Sequence, residues 1–168
     1  MIEVVAVAPH PDDVEFGCGG ILCKLDKEKY HITVLCNTCF DKVDYTDESE
    51  KEKRLLEQKE TCELYHADCI FFDSYKNLDI TSDIVRKLKP NIMFLPWEND
   101  FNPTHVHVTT IMKKSIFYAQ NNSKNYSGWM VNQLVYYEAF SSIDFKSEFN
   151  IDVTDVFSQT LANLKKHK

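Results

Sequence analysis

The chain has 168 residues, 43% of them hydrophobic and 27% charged, with a net charge of −7 and a pI near 5.3. That length suits one domain with a real core. The acidic balance, with basic residues scattered except at Lys165, Lys166 and Lys168, argues against nucleic acid or an anionic membrane as the main partner. No stretch reaches the ~20 apolar residues of a membrane helix, and the first residues lack the basic region of a signal peptide, so a cytoplasmic protein is expected. In that compartment the six cysteines are read as reduced thiols rather than a disulfide framework.

The β-branched, non-alternating run "IEVVAVA" predicts a fully buried strand over residues 2–8. Helical spacing follows over about residues 14–25. "YHITVLC" is a second strand (30–36), and the polar stretch 41–50 reads as a loop. Residues 50–65 carry helical periodicity through Leu55, Leu56, Cys62 and Leu64. "DCIFF" is a third strand, "DITSDIVRKLK" an amphipathic helix and "PNIMFLPW" a fourth strand. After the loop "ENDFNPT" a helix is expected over 105–119, then a fifth strand "QLVYYEAF" and a short sixth, "FNIDV". Thr154 or Asp155 is expected to cap a terminal helix ending near Lys166. Strands alternating with helices predict an α/β fold, a Rossmann-like mostly parallel sheet with helices on both faces.

In such sheets ligands bind beyond the carboxyl ends of the strands. Two loops leaving such ends are rich in metal-competent side chains, "PHPDDVE" after the first strand and "PWENDFNPTH" after the fourth. His10, Asp12 and Asp13 form an H-x-D-D cluster in a turn kinked by Pro9 and Pro11, whose fixed φ stiffens it. One imidazole and one carboxylate are good zinc ligands, and His105 from the other loop supplies a third. The adjacent carboxylate is then placed to act as a base. Taken alone, H-P-D-D is equally a turn with an Asp helix cap; the second histidine-bearing loop favours a metal.

"PHPDDVEFGCGG" closely resembles the opening motif of the PIG-L/LmbE-like N-acetylglucosaminyl deacetylase family. "RLLEQKETCELYHAD", "NDFNPTHVHVTT" and "FNIDVTDVFSQTLANLKKHK" resemble its later segments in the same order. The resemblance implies a single LmbE-like deacetylase domain over 1–168, without a long C-terminal extension. It implies a zinc-dependent hydrolase, with another divalent transition metal as an option, that removes an acetyl group from an N-acetylated amino sugar on a glycoconjugate or nucleotide. By that match His10, Asp13 and His105 hold the metal and Asp12 is the general base. Members often form trimers or hexamers, so the resemblance leaves a homo-oligomer open.

The sequence departs from the family's second motif, H-x-D-H, which here reads Asn102-Pro103-Thr104-His105. Asn102 stands where a histidine would steady the oxyanion or assist protonation. An amide still donates a hydrogen bond to an oxyanion, a contribution of ~2.7–4 kcal/mol in other enzymes, but it carries no proton. Two readings follow: a site working through neutral hydrogen bonds, or a non-catalytic zinc- and sugar-binding relative. His107 is a conceivable substitute acid, although two residues from His105 on a helix it should face elsewhere.

Three more residues have a functional reading beside a plain one. Glu15 is either support for a ligand or a solvated first-turn residue favoured by the helix dipole. Arg54 either reaches substrate hydroxyls or phosphate, or lies on a solvated face. Asp100 either contacts substrate or a ligand, or shapes a turn. Phe40, Tyr45, Trp97 and Phe101 are aromatics that could stack on a sugar. Cys36 and Cys39 form a C-x-x-C that leaves a weaker, thiol–disulfide reading.

Overall fold

The structure, a computed structural model, describes residues 1–39 and 47–167. Its elements are β1 (Ile2–Ala8), α1 (Asp13–Gly17), α2 (Gly19–Lys24), β2 (Tyr30–Asn37), α3 (Glu48–Tyr65), β3 (Asp68–Phe72), α4 (Leu78–Leu88), β4 (Ile92–Pro96), α5 (Pro103–Ala119), β5 (Gln133–Tyr137), a 3-10 turn (Thr154–Val156) and α6 (Phe157–Leu164). Phe40, Tyr45 and residues 41–46 of the expected 41–50 loop lie outside the described residues; Asp47 caps α3, which takes over from Glu48.

The five strands pair in the order β3-β2-β1-β4-β5, every neighbour parallel. β1 is central and buried on both faces, which is why its sequence does not alternate. Val4, Ala6 and Ala8 point into one core with Val14 of α1, Leu22 of α2, and Cys62 and Tyr65 of α3. Val5 and Val7 point into the other, with Val85 of α4 and Val108, Met112 and Ile116 of α5. Each fully buried valine or leucine contributes on the order of 1.5–3 kcal/mol, so β1 alone anchors both layers. No helix among the described residues is long and apolar enough to cross a membrane.

Three expectations are corrected. The helix over 14–25 is two helices, because Cys18 leaves the helical region at φ −139° and ψ 7°. The flanking glycines allow the close packing at this break. A Cβ on Gly17 would lie 2.0 Å from the Tyr137 ring, and one on Gly20 would lie 2.9 Å from Val153. "FNIDV" forms no strand: its apolar alternation comes from Phe149, Ile151 and Val153 lining a groove of about 760 Å³ along β5. Neither Thr154 nor Asp155 caps α6. Asp152 instead accepts the Thr154 N–H at 2.9 Å, and Asp155 pairs with Lys24.

The strand order reverses between β1 and β4. The loops after these two strands therefore open side by side, at the topological switch point where such sheets hold ligands.

Candidate metal and catalytic site

The loop after β1 is built to hold its side chains still. Asp13 opens α1, and its Oδ2 accepts the His10 N–H at 2.8 Å. Buried Asn37, at the end of β2, donates from Nδ2 to the Pro9 carbonyl at 3.3 Å. From α3, Arg54 donates to the Pro11 carbonyl at 3.2 Å and Gln58 accepts the Asp12 N–H at 3.2 Å. Asp12 itself has φ 110°, a left-handed conformation that favours glycine. A non-glycine residue held there costs on the order of 1–3 kcal/mol, and such strain concentrates at functional sites.

The second loop delivers His105 as the third residue of α5. His105 Nε2 lies 3.2 Å from Asp13 Oδ2 and 3.1 Å from His10 Nδ1, and His10 Nδ1 lies 3.1 Å from the same Asp13 oxygen. Three ligand atoms, from residues far apart in sequence, thus meet at one point, and all three side chains are nearly fully buried. Zinc takes such ligands at ~2.0–2.2 Å, which sets tetrahedral neighbours roughly 3.3–3.5 Å apart. The observed triangle is within a few tenths of an ångström of that, and its two imidazoles and one carboxylate are a donor set that suits zinc and neighbouring divalent ions.

The charges follow from the packing. Burial works against the ionised Asp13, but the bonds from His10 and His105 overcome it and hold the carboxyl well below its usual range. Burial likewise works against a charged His105, yet the carboxylates of Asp13 and Asp100 raise it to about 9. Asp12 moves the other way. Its partial burial and the neighbouring Asp13 charge raise it to about 6, against the opposing pull of Arg54, whose Nη2 is 3.6 Å away.

Asp100 reaches the other nitrogen of His105, with Oδ2 3.1 Å from Nδ1, close enough for charge pairing although not aligned as a hydrogen bond. Its side chain is fully buried. Ser141 and Ser142 donate to it at 2.5 and 3.1 Å, as does the Asn102 N–H at 2.8 Å. Burial works against its charge, but Ser141, the Asn102 N–H and His105 together lower its pKa. Of the two readings offered for Asp100, the geometry is that of a residue behind a ligand histidine.

The other singled-out residues are placed as follows. Asn102 caps α5, its Oδ1 accepting the Thr104 N–H at 2.9 Å, and its Nδ2 has no partner among the described residues. Glu15 is buried, not solvated, and takes a hydrogen bond from Gln58. Arg54 contacts the H-P-D-D loop rather than lying on a solvated face. His107 turns away, its ring stacked on Tyr75 and its Nε2 3.3 Å from the Ser74 carbonyl. Trp97 is engaged in packing through Ile143, Tyr136 and Phe145, whereas Phe101 is 82% exposed. The Cys36 thiol is buried and pushed upward by that burial, the opposite of what a reactive thiolate needs.

Sequence reasoning missed Asn37, Gln58, Ser141 and Ser142. Gln58 was discoverable, because it follows Arg54 by four residues and so shares its helix face. The serines act from a loop some forty residues beyond Asp100, which no spacing rule reaches.

Solved structures share this architecture. The conserved protein TT1542 from Thermus thermophilus superposes with a TM-score of 0.80 at 22% identity, over 99% of this chain and 79% of its own. GalB, the 4-carboxy-2-hydroxymuconate hydratase of Pseudomonas putida KT2440, gives 0.82 at 19% identity, over 99% and 78%. The N,N′-diacetylchitobiose deacetylase of Pyrococcus horikoshii gives 0.77 at 20% identity, over 98% and 69%. Identities this low establish the fold, and a hydratase among these proteins shows that the fold alone does not fix the reaction. The sequence is more specific. The family model described as PIG-L, GlcNAc-PI de-N-acetylase, matches residues 5–116, a span that takes in both site loops, and the chain belongs to that family.

Proposed function

We propose that the protein is a metal-dependent N-deacetylase that hydrolyses the acetamide of an N-acetylated amino sugar, with zinc held by His10, Asp13 and His105. The observation that carries this reading is the meeting of His10 Nδ1, Asp13 Oδ2 and His105 Nε2 within 3.1–3.2 Å of one another, beside a carboxylate raised to about 6. Zinc bound there would acidify water towards a pKa of ~7 and polarise the acyl carbonyl.

The chain's own residues supply the proton traffic. Asp12, with a pKa of about 6, is ionised at neutral pH yet basic enough to take a proton from the attacking water. It then returns that proton to the amine nitrogen, which as an amide anion would be a very poor leaving group. Arg54 opposes full protonation of Asp12 and fixes the Pro11 carbonyl. Asn102 Nδ2 is the donor available to an acyl oxygen, since its Oδ1 is committed to the helix cap.

The second reading, a zinc- and sugar-binding relative without turnover, is favoured by Asn102, which cannot shuttle a proton. Two measurements separate them. Purified protein should hold about one zinc, lost in His105→Ala. Acetate should be released from one or more members of a panel of N-acetyl amino sugars, and release should be abolished in Asp12→Asn with zinc retained. Zinc binding with no acetate from any sugar would leave the binding module; protein that takes up no metal would end both readings.

A further inference from the structure

Gln58 is fully buried on α3 and has no counterpart in the chemistry described so far. Its side chain lies between two site elements. Oε1 accepts the Asp12 N–H at 3.2 Å, while Nε2 donates to Glu15 Oε1 at 3.1 Å and lies 3.7 Å from Cys62 Sγ. Only one orientation of this amide is tolerable. Rotated by 180°, its NH2 group would face the Asp12 N–H, donor against donor, and its oxygen would face the Glu15 carboxylate.

Glu15 is therefore the residue that sets the amide. Its carboxylate is completely buried, also lies 3.5 Å from His167 Nε2, and can only accept when ionised. Orientation passes from Glu15 to Gln58, and from Gln58 to the backbone of Asp12. Asp12 needs such a hold, because its left-handed φ of 110° is intrinsically unfavourable and persists only where surroundings over-determine it. Its carboxylate direction follows from that backbone, since φ and ψ fix where Cβ projects.

We infer that Gln58 is a positioning residue for Asp12: the Glu15–Gln58 pair holds the Asp12 backbone so that its carboxylate is aimed at the reacting water. This rests on the reading of Asp12 as the general base. A packing role alone would be filled equally by an apolar side chain of the same length. The positioning role requires an acceptor facing the Asp12 N–H and a donor–acceptor match between residues 58 and 15.

The test compares zinc-loaded wild type with Gln58→Met and with the swap Glu15→Gln/Gln58→Glu. In the swap a carboxylate accepts the Asp12 N–H and a carboxamide donates to it, so the chain is rebuilt with its partners exchanged. The first readout is hydrogen exchange of the Asp12 amide by NMR. Gln58→Met should speed it by about 10-fold or more at unchanged zinc content, and the swap should restore protection. The second is acetate release from the panel sugar that wild type turns over best, where Gln58→Met should lower kcat by about 100-fold with KM little changed and the swap should recover most of the loss. Unchanged Asp12 exchange in a folded Gln58→Met, or a folded swap no better than that variant, would overturn the assignment. A wild type that releases no acetate from any panel sugar sinks the deacetylase reading instead, and the exchange data still decide the role of Gln58.

Discussion

Asp100 and His105 face each other across the imidazole's outer edge, Oδ2 to Nδ1 at 3.1 Å, while the ring's Nε2 looks towards Asp13. The negative charge there favours a proton on Nδ1 and so leaves Nε2 free to donate to a metal. In Asp100→Asn the side-chain oxygen can still accept from Ser141 and the Asn102 N–H, but the negative charge is gone. Zinc affinity should fall roughly 10–100-fold, measured by competition with a chelator, with an unchanged far-UV circular dichroism spectrum. Unaltered affinity would reduce Asp100 to a turn residue.

Asp12→Gly should stabilise the protein while removing turnover. Glycine adopts φ 110° without penalty and eliminates a half-buried carboxylate beside Asp13. Against this stands the greater unfolded-state freedom of glycine, up to ~1 kcal/mol. The net expectation is a gain of about 1 kcal/mol in denaturant unfolding, with no acetate release. A loss of stability would mean the strain is not borne at this residue.

Arg86 is a buried cation remote from the site. Its Nε and Nη2 donate to the carbonyls of Asn121 and Tyr118 beyond and within the last turn of α5, and Nη1 pairs with Asp83 at 2.6 Å. Arg86→Met strands those carbonyls and should cost at least ~1–3 kcal/mol in chemical denaturation. Zinc content and kcat should remain those of wild type.

His31 gives the sheet a dependence on pH. It lies between Glu3, 2.7 Å from Nδ1, and Asp68, 3.2 Å from Nε2, and the Glu3 bond above all raises its pKa. A raised folded-state pKa stabilises fully below the unfolded value of ~6.5 and loses that contribution as pH rises through the folded one. His31→Gln should therefore lower Tm near pH ~5.5 and leave it almost unchanged near pH ~9. Added salt should shrink the difference, because the pair is partly exposed. Equal Tm loss at both pH values would mean that the imidazole acts by packing rather than by charge.

How far the sequence reached depended on whether a residue's role is local. β1 and β3 were legible to the residue because a buried strand and its flanking turns leave a composition signal. The meeting of His10, Asp13 and His105 was legible because parallel α/β topology puts both loops at one edge. "FNIDV" misled because apolar alternation alone does not show burial: Phe149 and Ile151 line a groove along β5 yet stay 58% and 44% exposed. The left-handed backbone of Asp12, the amide orientation of Gln58 and the serines behind Asp100 are set by contacts 40 or more residues away.

The cap formed by Asn102 also bears on the first turn of α5. A histidine there would offer no short side-chain oxygen to the Thr104 N–H, whereas asparagine ranks among the best residues for that task. With Pro103 directly behind it, the start of α5 is unusually resistant to fraying, and His105 sits within that turn. A carboxamide at position 102 thus gives stiffness to the turn that carries His105, and on the proposed reading it leaves proton transfer to Asp12, whose carboxyl is raised to about 6.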